Sequence, residues 1–384
     1  MTRTADVVVV GGGVVGASAA YHLAAAGAGE VLVLERADAL GTGSTAACAG
    51  GFRSQFSSEV NVRLSQASVP MIVGFAEEHG LPLDVWQDGY LFLVRGEARW
   101  DRFREAVEIQ RALGVEVELL EPPQAGELVP GISLEDVVGA TYGPRDGIAD
   151  PSGLTNGYAT LARRAGARIE TGVEVLVVRV EAGRVVGVRT SSGDVDAPVV
   201  VNGAGPWAAV LAATAGVDLP LEPIPRNIVT TGPFPGVPER RTLVIDAETS
   251  LYFHREGPGV LMGMGGVDER PSFETSPDER FIAEEILPTA IRVFPPLGDA
   301  GLERTWAGLY EMTPDRHPVL GPAPGVDGFY LANGFSGHGF QHAPVVGKLL
   351  AEMIVEGRAT TVDVSSLGLE RFGRGRLLPE AQVV

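Results

Sequence analysis

The chain has one cysteine, Cys48, in 384 residues, so no disulfide can form within it. That scarcity fits a reducing compartment. No window is apolar for long enough to span a bilayer. The apolar N-terminus has no basic run beyond Arg3, and strand, turn and helix account for its apolar residues, so it does not read as a signal peptide. A soluble, cytoplasmic protein is expected. Positive charge is also scarce: 30 Lys and Arg stand against 49 Asp and Glu, a formal net charge of −19. Such an excess repels nucleic acid and anionic membrane, and neither is expected as a partner. It does not restrict a small substrate, because a basic patch can lie inside an acidic protein. No His, Cys, Asp and Glu cluster has metal-ligand spacing, so no metal is expected. There is no G-x-S-x-G elbow, which removes support for serine-hydrolase chemistry. There are no internal repeats.

Glycine is abundant, with 51 residues, and a hydrophobic content of 45% supports a sizeable core. The length suffices for about two to three domains or one composite unit. The N-terminus is the most informative stretch. Asp6-Val7-Val8-Val9-Val10 reads as a buried strand. Gly11-Gly12-Gly13-Val14-Val15-Gly16 is a G-x-G-x-x-G turn, and an apolar helix runs to Ala26. Val31-Leu32-Val33-Leu34 is a second strand, ended by Glu35 and Arg36. Gly11 allows the tight turn, Gly13 lets backbone approach a pyrophosphate, and Gly16 lets the helix pack on the strand. The helix N-terminus offers free N–H groups and partial positive charge to the phosphates. Glu35, 19 residues past Gly16, can accept hydrogen bonds from an adenosine ribose and disfavours a 2′-phosphate. This fingerprint alone does not separate NAD from FAD.

Further along, Gly43-Ser44-Thr45-Ala46-Ala47-Cys48-Ala49-Gly50-Gly51-Phe52-Arg53 is rich in small residues, as expected where backbone passes a flat ligand. A helix is expected over 57–79, a strand over 90–94 and a helix over 97–113. Pro151 opens a helix through Arg164. Strands are expected over 172–180, 185–190 and 195–201, the last running into Asn202-Gly203-Ala204-Gly205-Pro206-Trp207. Residues 217–300 hold short strands, including 250–254 and 260–264, assigned to a separate sheet over the cofactor. Phe329 to Asn333 is another strand, followed by the turn Gly334-Phe335-Ser336-Gly337-His338-Gly339-Phe340-Gln341 and a helix through 343–355. Cofactor-type turns thus recur near residues 11, 203 and 334. NAD would need only the first, so FAD is expected.

Three segments carry a resemblance over nearly the full length. They are the fingerprint, Gly43-Ser44-Thr45 with Ala49-Gly50-Gly51, and Tyr310-Glu311-Met312-Thr313-Pro314-Asp315 with Gly334 to Phe340. The chain resembles the FAD-dependent amine oxidoreductases of the D-amino-acid oxidase, glycine oxidase and sarcosine oxidase superfamily. Within it, the likeness is to monomeric sarcosine oxidase, to the β subunits of sarcosine oxidase and L-proline dehydrogenase complexes, and to the complex I-linked FAD-dependent oxidoreductase. The resemblance implies an α/β (α+β) fold with a discontinuous, Rossmann-like FAD-binding domain (1–80, 145–215 and 305–375) and an antiparallel-sheet substrate domain (81–144 and 216–304). It implies oxidation of a secondary or N-methylated amino acid by hydride transfer to flavin, giving an imine that hydrolyses. The oxidant that restores the flavin stays open. A flavoprotein subunit or assembly factor, working with a partner subunit or a second copy, is the alternative.

Two departures matter. Where sarcosine oxidase carries a cysteine bonded to flavin this chain has Gly308, and where dimethylglycine-type dehydrogenases carry a histidine it has Ala47. Non-covalent FAD is therefore expected. Where sarcosine oxidase has a lysine after Gly-His-Gly-Phe, this chain has Gln341. Substrate carboxylate binding would then lean on Arg53, which can make a bidentate contact or be structural. His254 could face the flavin or be an ordinary strand histidine; His338 is expected near the flavin, and Tyr310 and His342 are weaker candidates. Val173 completes the expected cofactor contacts. His22, His79 and His317 read as structural.

Overall fold

The structure, a computed structural model, describes residues 3–266, 269–378, 380 and 382. Val7–Val10 and Val31–Leu34 are buried along their whole length, as strands covered on both faces must be. They lie in a six-stranded sheet ordered Arg168–Glu170, Val31–Leu34, Val7–Val10, Val199–Asn202, Phe329–Asn333 and Val319–Pro322. The first five run parallel and the last is antiparallel. Alternation divides the side chains between two cores. Val7, Val9, Val31 and Val33 pack under the helices Val14–Ala25 and Gly339–Ala351. Val8, Val10, Leu32 and Leu34 pack with the helix Ala208–Thr214 and a small four-stranded sheet. Gly347 allows the close approach of the two helices, because a Cβ there would lie 2.3 Å from Ser18 Oγ.

This sheet sets three adjacent parallel strands, ending at Val10, Asn202 and Asn333, beside one another. Each is followed by one of the expected glycine turns. The second large sheet has eight strands, in the order Leu302–Met312, Glu222–Thr231, Gly259–Met264, Tyr252–Glu256, Leu243–Asp246, Tyr90–Arg95, Val137–Gly143 and Glu118–Leu120. It is antiparallel except where Leu243–Asp246 runs parallel to Tyr90–Arg95. One face packs Leu91, Val244 and Phe253 against the helical segment around Ile282–Val293. The other carries Tyr90, Leu243, Ile245 and Tyr252, and forms the wall of the site. No helix among the described residues is long and apolar enough to cross a membrane.

Several elements differ from expectation, each for a local reason. The strand expected over 195–201 is two strands, Gly193–Asp196 and Val199–Asn202, in different sheets. Pro198 between them has no N–H to continue a ladder. The helix expected over 57–79 breaks at Gly74 into Glu59–Val73 and Phe75–His79. The strand expected from 172 starts at Val175, because Gly172 turns at φ 70°. The helix expected over 343–355 begins at Gly339, within the glycine turn, so its N-terminus reaches the site directly. Leu302–Met312, eleven residues long, was not anticipated as a strand.

Candidate active site

A cavity of about 750 Å³ runs between the six-stranded sheet and the wall of the eight-stranded one. At one end, Glu35, Arg36, Val173 and Trp207 line it. Glu35 is oriented by backbone: Oε2 accepts from the Gly12 N–H at 2.6 Å and Oε1 from the Ala37 N–H at 2.8 Å. The Arg36 guanidinium lies 3.5 Å from the centre of the Trp207 ring, which stacks in turn on Phe273 at 5.5 Å. Next come Gly11, Gly13, Val14 and Val15, with Gly203, Ala204 and Gly205 from the neighbouring strand end. Gly11 has φ 103°, and a Cβ there would lie 2.3 Å from the Gly203 carbonyl oxygen. The first helix has no acidic residue in its first turn and no side-chain cap from Gly13; the Val14 N–H donates to Thr45 Oγ1 at 3.2 Å.

Gly43, Ser44, Thr45, Ala49, Gly50 and Gly51 form the middle of the cavity with Gly308. Ser44 Oγ donates to the Leu309 carbonyl at 2.7 Å and Trp306 Nε1 to the Ala47 carbonyl at 3.3 Å, so the loop is tied to the strand Leu302–Met312. The two positions where relatives by resemblance attach flavin face each other: a Cβ at Gly308 would lie 2.7 Å from Ala47 Cβ. At the far end are Arg53, Tyr310, Gly337, His338, Gly339, Phe340 and Gln341.

Besides the weaker candidate His342, four expected site residues do not line the cavity. Gly16 instead serves helix packing, since a Cβ there would lie 1.9 Å from the Gly11 carbonyl oxygen. Gly334 turns at φ 73°, and Ser336 Oγ donates to its carbonyl at 3.2 Å, so both shape the turn from behind. His254 is buried, with Nδ1 2.8 Å from the Arg255 carbonyl oxygen, and burial lowers its pKa.

Arg53 is 3% exposed. Its Nη1 donates to the Gln55 carbonyl, and its Nη2 donates to the Gln382 carbonyl and faces His338 Nε2 at 3.2 Å. A guanidinium has no acceptor, so Nε2 must accept and the imidazole proton resides on Nδ1. Burial, then the Arg53 charge, hold His338 well below its ordinary pKa, so the ring is neutral. Gln341, which stands where sarcosine oxidase has its lysine, has its amide occupied by the Arg53 backbone. Oε1 accepts from the Arg53 N–H at 2.9 Å and Nε2 donates to the Arg53 carbonyl at 3.2 Å. His342 is off the cavity, pushed down to about 3 by burial and then by Arg53.

Sequence reasoning missed Tyr90, Tyr252, Arg226 and Glu311, all lining this end. Glu311 Oε1 accepts from the Phe335 N–H at 3.3 Å, while Oε2 is buried without a partner. Burial pushes this carboxyl up to about 7. Glu311 belongs to a segment that carried the resemblance, and that was its only sequence signal.

The residues present fit FAD. Gly11 and Gly203 approach backbone to backbone with no space for a side chain between them, and both lie on the cavity. Two helix N-termini, at Val14 and Gly339, open on the cavity without acidic residues in their first turns. Buried, unpartnered Arg226 Nε, Glu311 Oε2 and His338 Nδ1 belong to residues at its far end.

Comparison with known proteins agrees. The family described as FAD dependent oxidoreductase matches residues 6–353. The chain is 32% identical to mitochondrial sarcosine dehydrogenase of Homo sapiens over 97% of its own length and 42% of that protein's, so it spans less than half of that relative. It is 32% identical to FAD-dependent oxidoreductase domain-containing protein 1 of Xenopus laevis, covering 99% of this chain and 85% of that one. Among solved structures, L-proline dehydrogenase from P. horikoshii superposes with a TM-score of 0.91 at 35% identity, over 98% of this chain and all 100% of the other.

Proposed function

Since the chain belongs to the FAD-dependent oxidoreductase family, we propose that it oxidises the C–N bond of a secondary or N-methylated amino acid related to sarcosine, glycine or proline. The observation that carries this reading is the single cavity joining the dinucleotide fingerprint at Gly11 to a cationic, aromatic end at Arg53, Arg226, Tyr252 and Tyr310. Names of similar proteins support it: sarcosine dehydrogenase, dimethylglycine dehydrogenase and L-proline dehydrogenase.

Glu35 would hold the adenosine ribose, and the first-turn N–H groups of the helix Val14–Ala25 would hold the pyrophosphate. Gly337 to Phe340, with the helix N-terminus at Gly339, would lie at the flavin ring, where a helix N-terminus stabilises negative charge. Bound FAD supplies the two-electron acceptor for the C–H bond next to the substrate nitrogen. The chain's own residues bind and orient. The wall of Tyr90, Leu243, Ile245 and Tyr252 excludes water from one side of the substrate. His338, held neutral by burial and Arg53, adds no positive charge next to the substrate amine. The imine released would hydrolyse in water. FAD would be held without a covalent bond, because Gly308 and Ala47 offer no nucleophile.

The test is an anaerobic titration of the purified yellow protein with sarcosine, L-proline, glycine and D-amino acids, followed by air. Bleaching by at least one amine is expected. If no amine bleaches the flavin, the amine-oxidation reading fails. Acid precipitation is expected to release all the colour; a yellow pellet would refute non-covalent binding.

A further inference from the structure

We propose that the substrate carboxylate is received by Arg226, and that Arg53, the arginine the sequence pointed to, is structural. This rests on the amine-oxidation reading and deepens it by assigning the group that binds the acid. Both guanidinium groups lie on the cavity and both are buried, Arg53 at 3% and Arg226 at 7% exposure. They differ in which donors are left over.

Both terminal nitrogens of Arg53 are taken up by carbonyl oxygens of Gln55 and Gln382, and Nη2 also serves His338. Its flat face rests on Phe56, 4.0 Å from the ring centre. Its backbone N–H and carbonyl are paired with the Gln341 amide. Arg53 thus bolts its own loop to the C-terminal segment and to the helix Gly339–Ala351. Three of its five N–H donors are thereby committed to the protein.

Arg226 is different. Among the described residues, the hydrogen bond it makes is from Nη1 to Glu269, and Nε is buried with no partner. The Nε–Nη2 edge is the one that accepts a carboxylate side-on through two parallel hydrogen bonds. Glu269 also accepts from the Gly266 N–H at 2.7 Å, so the guanidinium is fixed from its Nη1 side. The Tyr310 ring supports the guanidinium from 4.9 Å. In register, Arg226 stands opposite Gly308, against which Ala47 of the small-residue loop packs. The site is also next to the flavin-side turn: a Cβ at Gly337 would lie 2.5 Å from Tyr310 Cε2. A buried N–H without an acceptor is unfavourable, and a ligand carboxylate removes that defect.

The test uses FAD-loaded protein and two unreactive ligands, (methylthio)acetate and its uncharged amide, each titrated by the change in flavin absorption. Arg226→Gln is expected to weaken the acid about 30- to 100-fold, as loss of a charge-assisted pair should. The amide's dissociation constant is expected to change less than about 2-fold, because a neutral ligand does not draw on the charge. Arg226→Lys keeps the charge but not the fork, and should fall between the two for the acid. If the glutamine variant does not fold, the lysine variant carries the test on the same acid-to-amide ratio. Unchanged acid binding overturns the proposal, and so does equal weakening of acid and amide. If wild type binds the acid and is bleached by amines while Arg226→Gln binds it equally well, only the Arg226 assignment falls. If no amine bleaches wild type and neither ligand perturbs its flavin, the amine-oxidation reading falls and the assignment with it.

Discussion

Replacing Glu311 by glutamine tests whether the cavity holds a neutral carboxylic acid. Glu311 is buried, with one oxygen on the Phe335 N–H and the other without a partner. Burial raises its pKa from 4.5 to about 7, against the opposing pull of the Gly334 and Phe335 N–H groups. A folded-state pKa above the unfolded one means that the folded protein binds the proton more tightly. The corresponding stability is fully present below pH 4.5 and is lost as pH rises through about 7. At ~1.36 kcal/mol per pH unit, a gap of about 2.5 units is worth on the order of 3 kcal/mol. Glutamine keeps the acceptor for Phe335 but cannot ionise. The two proteins should therefore match to within about 1 kcal/mol at pH 5, while the variant is more stable at pH 8 by on the order of 3 kcal/mol. Asp146, also pushed up to about 7 by burial, titrates in both proteins and cancels from the difference. The assay is urea unfolding of flavin-free protein at several pH values, followed by tryptophan fluorescence. Parallel stability curves for wild type and Glu311→Gln between pH 5 and 8 would refute the reasoning.

Two further substitutions probe the cofactor floor. Gly11→Ala places a Cβ 2.3 Å from the Gly203 carbonyl at φ 103°, so the protein should purify nearly colourless; a wild-type ratio of flavin to protein absorbance would contradict this. Gly308→Ala drives a methyl into Ala47, 2.7 Å away, and should lower stability by about 1–3 kcal/mol. Adding Ala47→Gly should restore most of the loss in thermal denaturation, and a double variant no better than the single one would show that the strain lies elsewhere.

The adenosine end was legible because its parts are contiguous. Strand, turn, helix and acid fall within 35 residues, so their spacing alone sets their geometry. The three strand-end turns were readable for the same reason. What was not readable depends on register and on backbone partners far along the chain. The switch between sheets at Pro198 needed the neighbouring strands, since Val195 and Val199 look alike in sequence. Tyr252 and His254 share a face by alternation, yet the cavity wall includes only Tyr252.

The two arginines show the limit most clearly. Arg53 follows a run of small residues that must pass near a flat ligand, so its charge was bound to be close to the site. Arg226 lies in a proline-flanked strand with no motif around it. What separates them is which donors remain free, and that is a tertiary property. The Nη2 of Arg53 is taken by the carbonyl of Gln382, 329 residues away, and by His338. Arg226 is presented by a pairing with Gly308 that no local pattern announces. Proximity to the cofactor can be read from spacing, but the capacity to bind a ligand depends on hydrogen bonds that only the folded chain assigns. For a buried cation, the unsatisfied donor is therefore the stronger sign of function.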